Sequence, residues 1–263
     1  MTDTNSIQSH LLNLFGLQGR TALITGSSKG IGLALAIGLA EAGARVVLNG
    51  RDAARLQAAA AQLPANAEVL TSVFDVTDPD AVKQAIDALE GDGVEIDILI
   101  NNAGIQHRTE LQDFPVDAWQ QLMRTNLDSA FYVGQAVARH MICRKAGKII
   151  NICSVQSELG RPSIAPYAAS KGALKMLTKG MAIDWAPHGL QVNAIGPGYF
   201  KTELNQALVD DPEFSAWLEK RTPAGRWGNV EELVGGAVYL ASDASSFVNG
   251  HVLYVDGGIT SSL

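Results

Sequence analysis

Tyr167 and Lys171 are four residues apart, and Ser154 precedes the tyrosine by thirteen residues. The stretch from Ala165 onward predicts a helix, on which residues four apart lie on the same face. An ammonium beside a phenol favours the phenolate, so we expect the pKa of Tyr167 to lie below its usual value of about 10. Such a phenol can exchange a proton with a carbonyl or an alcohol near neutral pH.

Ser154 follows the apolar residues 148–152, which predict a strand, so we expect its hydroxyl at the end of that strand. There it can hydrogen-bond the same substrate oxygen as Tyr167. A tyrosine and a lysine at this spacing are also common on exposed helix surfaces. The hypothesis of a proton-transfer site therefore depends on the segments that come before it in the chain.

A glycine-rich turn, residues 25–32, joins the first predicted strand to the first predicted helix and has the spacing Gly26, Gly30, Gly32. Glycines allow a tight turn and let the backbone approach a pyrophosphate, which the free N–H groups of the helix N-terminus can bind. An incidental turn in a sheet protein is the alternative. A P-loop is excluded because no Gly-Lys-Ser/Thr closes the motif. The turn therefore predicts a dinucleotide site.

The composition limits the partners of this 263-residue chain. Its formal net charge of −7 argues against nucleic acid and anionic membranes as partners. No apolar run approaches the roughly 18 residues of a membrane span, and no secretory signal is visible, so we expect a cytoplasmic protein. Two cysteines, Cys143 and Cys153, are too few for a disulfide framework and are expected to be buried free thiols. Five scattered histidines predict no metal site.

Strand-like and helix-like segments alternate from residue 20 to the C-terminus. The predicted strands are residues 21–25, 45–49, 68–74, 97–101, 148–153, 190–195 and 251–255. The predicted helices are residues 31–42, 52–62, 79–89, 116–143 with a bend near Gly134, 167–185 and 230–240. This alternation predicts one α/β domain, a doubly wound Rossmann-type fold with a seven-stranded, mostly parallel sheet and helices on both faces.

The domain is expected to occupy residues 19–263, after an N-terminal tail or short helix at residues 1–18. Residues 196–228 are the least regular stretch, and we expect them to form a lid over a site.

Five segments in this order resemble the short-chain dehydrogenase/reductase family: residues 25–32, the Asn-Asn-Ala-Gly run 101–104, Ser154, the Tyr167–Lys171 pair and Pro197-Gly198. The resemblance extends from about residue 17 to residue 258. It implies reversible hydride transfer between a nicotinamide and a secondary alcohol or ketone. It also implies that Tyr167 is the general acid/base, that Lys171 lowers its pKa and holds the ribose, and that Ser154 orients the carbonyl. Asn126 would support a water that leads from the lysine to solvent.

The same resemblance, with the glycine-rich turn, implies the contacts to the dinucleotide. Asp75 would contact the adenine, with a helix cap as the alternative, and Thr202 would contact the nicotinamide carboxamide. The predicted cofactor-binding residues are Gly26, Ser28, Lys29, Gly30, Ile31, Gly32, Arg51, Asp75, Val76, Asn102, Ala103, Gly104, Tyr167, Lys171, Pro197, Gly198 and Thr202.

The end of the second predicted strand bears on which nicotinamide cofactor is bound. An acidic residue there would bind the ribose 2′-hydroxyl and repel a 2′-phosphate, but the strand ends in Asn49-Gly50-Arg51. Arg51 offers a planar, doubly donating partner for a phosphate, and Lys29 adds a second positive charge. Both cations are alternatively ordinary surface residues. The prediction is NADP(H), with NAD(H) as the fallback.

Polar residues near the reacting groups indicate the kind of substrate. Gln156 and Glu158 follow Ser154, and His107 and Arg108 follow the Asn-Asn-Ala-Gly run, a set that suits a polyhydroxylated acid better than a fatty acyl chain. His107 is equally well explained as a surface histidine, and Glu158 as a loop carboxylate. The predicted substrate-binding residues are Arg108, Ser154, Gln156, Glu158 and Tyr167.

Residues 151–160, 198–202 and 220–228 are similar to bacterial sugar-acid dehydrogenases within this family. This implies interconversion of D-gluconate and 5-dehydro-D-gluconate, with Arg108 facing the carboxylate. The alternative is a reductase of 3-oxoacyl thioesters or of other ketones and polyols with the same catalytic residues. A regulator that only senses nucleotides would not need the four catalytic residues together. The family resemblance also implies a homotetramer.

Overall fold

The computed structural model describes residues 4–263, with side chains from residue 9 onward. Within these residues one sheet contains β1 Thr21–Ile24, β2 Arg45–Gly50, β3 Val69–Val73, β4 Ile98–Asn101, β5 Gly147–Ile152, β6 Leu190–Pro197 and β7 Val252–Val255. Its strand order is β3-β2-β1-β4-β5-β6-β7, and every neighbouring pair is parallel. The predicted α/β fold with a seven-stranded sheet is confirmed, and the sheet is parallel throughout.

The helices fill the segments between the strands. They are α1 Thr4–Phe15, α2 Gly30–Glu41, α3 Ala53–Ala60, α4 Pro79–Gly91, α5 Val116–Met123, α6 Ser129–Arg144, α7 Ala165–Trp185, α8 Gln206–Val209, α9 Pro212–Arg221 and α10 Val234–Ala241. Asp52 and Asp78 cap α3 and α4 by accepting backbone N–H groups of the first turn. The helix α1 agrees with the short-helix form expected at the N-terminus. The boundary between residues 18 and 19 stays a prediction.

Hydrophobic residues of the strands point alternately to the two faces of the sheet, as the strand period requires. Ile24 packs in a core with residues of α2, α3 and α10. Leu23, its neighbour in β1, packs in a second core with residues of α4, α6 and α7. The sheet is therefore covered on both sides, which confirms the doubly wound architecture.

The long helix predicted at residues 116–143 is interrupted, but not near Gly134. A π-helical turn, Arg124–Asp128, separates α5 from α6 and contains the buried Asn126. Single π-turns are a known cause of helix bends. Gly134 lies in regular helix, where a Cβ would come within 3.0 Å of Met181 Cε, so it serves close packing against α7.

The predicted lid, residues 196–228, contains α8 and α9 and is more regular than expected. That it closes over a site stays a prediction. The expectation of two buried thiols needs correction, because of the two free cysteines only Cys153 is buried. Cys143 is exposed because it lies on α6 two residues after the buried Met141, on the opposite side of the helix from the sheet.

Among the described residues, no helix combines the length and the hydrophobicity of a membrane span. The cytoplasmic location and the homotetramer stay predictions.

Candidate active site

A cleft of about 920 Å³ runs across the carboxyl ends of the strands and under the lid. It passes the point between β1 and β4 where the strand order reverses, which is where open α/β sheets bind their ligands. All of the predicted cofactor-binding residues line this cleft, as do Arg108, Ser154 and Gln156. The structure therefore brings most of the sequence-predicted site together.

Tyr167, Lys171 and Ser154 meet where β5 ends and α7 begins. Tyr167 and Lys171 lie one turn apart on α7, with the lysine Nζ 5.8 Å from the centre of the tyrosine ring. The Ser154 hydroxyl hydrogen-bonds the Tyr167 side chain and accepts the N–H of Gln156 at 3.1 Å. Lys171 Nζ donates to the carbonyl oxygen of Ile152 at 2.6 Å, which fixes the ammonium beside the end of β5. The Ser154 hydroxyl and the Lys171 ammonium are therefore held by backbone contacts.

The pKa of Tyr167 does not shift in the direction that the sequence suggested. Burial raises it to about 12, against a smaller lowering by the hydrogen bond with Ser154. Burial also lowers the pKa of Lys171 to about 8. Desolvation, rather than the charge of the lysine, therefore dominates at Tyr167, and the free protein holds a protonated phenol at neutral pH.

Asn126 lies behind the cleft rather than in its lining. Its Oδ1 accepts the N–H of Ile105 at 2.7 Å, and its Nδ2 donates to the carbonyl of the same residue at 2.9 Å and to Ser170 Oγ at 3.3 Å. A Cβ on Gly104 would touch both Asn126 Oδ1 and Lys171 Nζ, at 3.4 and 3.8 Å. The π-turn thus aims the asparagine at the loop after β4, next to the lysine. Its role in holding a water stays a prediction.

The glycine-rich turn has the geometry that a dinucleotide requires. Gly26 and Gly30 have φ values of 61° and 57°, which favour glycine. A Cβ on Gly32 would lie 2.5 Å from Asn102 Nδ2, whose amide donates to the carbonyls of Thr25 and Gly26. No side chain caps the N-terminus of α2, so its first N–H groups are free to bind phosphate. The residues present therefore fit a pyrophosphate.

The charged residues at the adenosine end form ion pairs with one another in the structure. Arg51 Nη1 lies 3.7 Å from Asp75 Oδ2, and Lys29 pairs with Glu203 of the lid. Burial raises the pKa of Asp75, but hydrogen bonds from Thr77 and the charge of Arg51 outweigh it and leave the pKa lowered. Both cations line the cleft and are more than half exposed, so each is accessible to a phosphate.

The opposite end of the cleft, beside Tyr167, carries two guanidinium groups. Arg108 donates to Asn205 Oδ1 at 3.3 Å, and its Nε is buried without a partner among the described residues. The Nε of Arg161 is likewise buried without a partner among the described residues, and the charge of Arg161 acts to lower the pKa of Tyr199, which burial raises. Gln156 Nε2 donates to Tyr199 Oη at 3.2 Å, while Gln156 Oε1 has no partner among the described residues. These unsatisfied polar atoms indicate a polar, anionic ligand.

Arg161 and Tyr199 were not identified as site residues from the sequence. Arg161 is in the loop that follows Ser154, and Tyr199 belongs to the Pro197-Gly198 segment of the lid. Their proximity in sequence to the recognised motifs was a signal that could have identified them. Their proximity to each other became visible only in the folded structure.

Glu158 and His107 do not line the cleft. The Glu158 carboxylate is exposed, pairs with Lys175 and accepts the hydroxyl of Tyr254 at 2.9 Å. The prediction that it contacts substrate is therefore not supported, because β7 and α7 hold it on the outer surface. The His107 ring lies edge-on to Phe114, with centroids 5.0 Å apart. Among the described residues, no group of three or more His, Cys, Asp and Glu side chains is placed to hold a metal ion.

Comparison with known proteins places this site in a family. A family model described as Enoyl-(Acyl carrier protein) reductase matches residues 26–260. The gluconate 5-dehydrogenase of Gluconobacter oxydans is 63% identical over 252 residues, which cover 95% of this chain and 98% of that protein. The 5-keto-D-gluconate 5-reductase of Escherichia coli is 52% identical over 248 residues, which cover 94% and 98%.

A solved structure shows the same similarity to gluconate 5-dehydrogenases. The crystal structure of a gluconate 5-dehydrogenase from Burkholderia cenocepacia, in complex with NADP and tartrate, has a TM-score of 0.93 and 59% sequence identity to this chain. The match covers 97% of this chain and 100% of that one. The resemblance inferred from the motifs is thereby confirmed. The chain is an NAD(P)-dependent oxidoreductase that belongs to the short-chain dehydrogenase/reductase family.

Proposed function

We propose that this protein interconverts D-gluconate and 5-dehydro-D-gluconate with NADP(H) as the hydride carrier. The observation that carries the proposal is the pair of guanidiniums, Arg108 and Arg161, beside Tyr167 with no carboxylate in ion-pair contact among the described residues. Both side chains are half-buried, with an Nε that is buried without a partner among the described residues. Cations that are withdrawn from water are normally paired, so the missing partner is expected to come with the substrate. The relatives from Gluconobacter oxydans and Escherichia coli, named for this chemistry, support the same substrate.

The groups at the end of β5 have distinct tasks in ketone reduction. NADP(H), when bound, supplies the hydride to the substrate C5 or accepts it in the reverse direction. The Tyr167 hydroxyl donates its proton to the C5 carbonyl oxygen, and the Ser154 hydroxyl hydrogen-bonds the same oxygen. A phenol that burial keeps protonated is suited to this donation at neutral pH. In alcohol oxidation the deprotonated phenolic oxygen accepts the proton of the substrate's C5 hydroxyl.

The Lys171 ammonium is proposed to reprotonate Tyr167 after Tyr167 has donated its proton to the substrate. Its pKa of about 8 places proton exchange close to neutral pH, and its Nζ is held near the end of β5 by the Ile152 carbonyl. Asn126 fixes the neighbouring loop through both backbone groups of Ile105, which keeps this side of the site in place. The predicted water beside Asn126 would extend the path to solvent.

The cofactor would be held by the free N–H groups at the start of α2 and by the loops after β4 and β6. Arg51 and Lys29 are the proposed partners of the 2′-phosphate, since each lines the adenosine end and carries a positive charge. The relative from Burkholderia cenocepacia, crystallised with NADP, agrees with the prediction of NADP(H).

The alternative substrate is a 3-oxoacyl thioester, whose ketone the same catalytic residues could reduce. An acyl chain would need an apolar cleft, and burial of two unpaired guanidiniums against it would be costly. A thioester reductase would also tolerate Arg108→Ala. The charged lining therefore favours the sugar acid.

The direct test is a spectrophotometric assay with the purified protein. We expect oxidation of NADPH on addition of 5-dehydro-D-gluconate and reduction of NADP when D-gluconate is the only other substrate. An acetoacetyl thioester should give little or no signal. Efficient reduction of the thioester without activity on 5-dehydro-D-gluconate would refute the proposed substrate but leave the proposed roles of Tyr167 and Ser154 intact.

Removal of the phenolic oxygen tests the proton donor. Tyr167→Phe should lower kcat by roughly 100-fold or more, because general acid catalysis typically contributes that much. The Kd for NADPH, measured by fluorescence titration, should stay within about twofold of wild type, since the ring remains. Tyr239→Phe, on α10 outside the cleft, is the matched control and should be fully active. Near-normal turnover by Tyr167→Phe would exclude this residue as the donor.

Charge reversal at Arg51 tests cofactor selection. Arg51→Asp should reduce the ratio of kcat/KM for NADPH over NADH by roughly 10-fold or more, because a phosphate partner is replaced by a repelling carboxylate. Arg139→Asp, an exposed cation on α6 away from the cleft, controls for the change in net charge. An unchanged ratio in Arg51→Asp would show that other groups select the cofactor.

A further inference from the structure

Arg161 lies in the loop between Ser154 and α7, and its side chain lines the cleft. We propose that Arg161 binds the carboxylate of the substrate together with Arg108 and sets the preference for an acid over the neutral polyol of the same shape. This inference rests on the proposed function and names a residue that determines its specificity.

The charges around Arg161 are unbalanced in the structure. The structure pairs other guanidiniums that are partly buried, as in Arg144 with Glu90, which it contacts through two nitrogens. Arg161 and Arg108 form no such ion pair with a described residue, and the Nε of each is buried without a partner. Burial, and then the charge of Arg161, lower the pKa of Arg108, so the two cations lie close enough to repel each other. A carboxylate that contacts both would relieve the repulsion and use the free donors.

Both guanidiniums lie on the substrate side of the cleft. Arg108 acts electrostatically on Tyr167 and on Tyr199, and Arg161 acts on Tyr199. Both arginines line the same cleft as Tyr167. Tyr199 therefore lies within electrostatic range of both guanidiniums, in the cleft that contains the proposed proton donor.

Residues of the predicted lid hold Arg161 in position. Its guanidinium carbon lies 5.3 Å from the ring centre of Phe214 on α9, a cation–π contact, and its charge lowers the pKa of Tyr199 against the stronger effect of burial. Phe214 packs in turn against Tyr199 and Trp227. A guanidinium that is stacked in this way is already oriented for a planar anion, which lowers the entropy lost on binding.

The test compares two substrates that differ only at the carboxylate. L-Sorbose is 5-dehydro-D-gluconate with a hydroxymethyl group in place of the carboxylate. Arg161→Gln should lower kcat/KM for 5-dehydro-D-gluconate by roughly 10- to 100-fold, as expected for loss of hydrogen bonds to a charged group. Its kcat/KM for L-sorbose and its Kd for NADPH should stay within about twofold of wild type. Arg161→Lys, which keeps the charge without the planar fork, should be intermediate.

Lys220→Gln is the matched control, since it removes an exposed lid cation outside the cleft and should change neither substrate's kcat/KM. Equal losses on the acid and on L-sorbose would indicate a role in lid structure only and would overturn the proposal, as would no loss on the acid.

A binding measurement separates this inference from the proposed function. In the presence of NADP, tartrate should raise the thermal unfolding temperature of wild type and of Lys220→Gln, but at least about 10-fold more tartrate should be needed with Arg161→Gln. If wild type turns over neither ketone, the proposed function fails, and the tartrate titration alone decides the role of Arg161. Equal protection of wild type and Arg161→Gln by tartrate would overturn it.

Discussion

The phenol of Tyr167 and the ammonium of Lys171 share the space where β5 ends and α7 begins, and desolvation acts on them in opposite directions. Burial raises the pKa of the phenol to about 12 and lowers that of the ammonium to about 8. At neutral pH the pair therefore holds two protons, one positioned for transfer and one that can replace it. Ser154 and the Ile152 carbonyl fix these groups through hydrogen bonds, so the geometry of β5 determines the chemistry.

The residues at the two ends of the cleft suit different anionic groups. At the adenosine end, the free N–H groups of α2 and the exposed side chains of Arg51 and Lys29 suit phosphates. At the other end, Arg161, which stacks on Phe214, and Arg108 suit a carboxylate. The chain as a whole is acidic, with a net charge of −7, yet cationic side chains line both ends of the cleft. Net charge bears on large anionic partners such as nucleic acid, while the local field decides which small anion enters.

Much of the fold was predictable from the sequence because strand-length apolar runs alternate with amphipathic helices and the strand-end motifs are those of a known family. The dinucleotide site followed for the same reason, since its residues come directly after strands. The π-turn at Asn126 was not predictable, because the asparagine leaves the helix pattern to bind a loop distant in sequence. The pKa of Tyr167 was not predictable either, because it depends on burial. The outward position of Glu158 was also not predictable, because it depends on a hydrogen bond from Tyr254 of β7. Contacts between distant segments decide each of these features.

In the proposed reaction, a hydride passes between NADP(H) and C5 of a sugar acid, and D-gluconate is the reduced product. The decisive measurement is reduction of 5-dehydro-D-gluconate with NADPH carrying deuterium at the transferable C4 position, followed by NMR of the product. We expect D-gluconate with the deuterium at C5. Formation of the C5 epimer, L-idonate, or label at another carbon would contradict the proposed reaction.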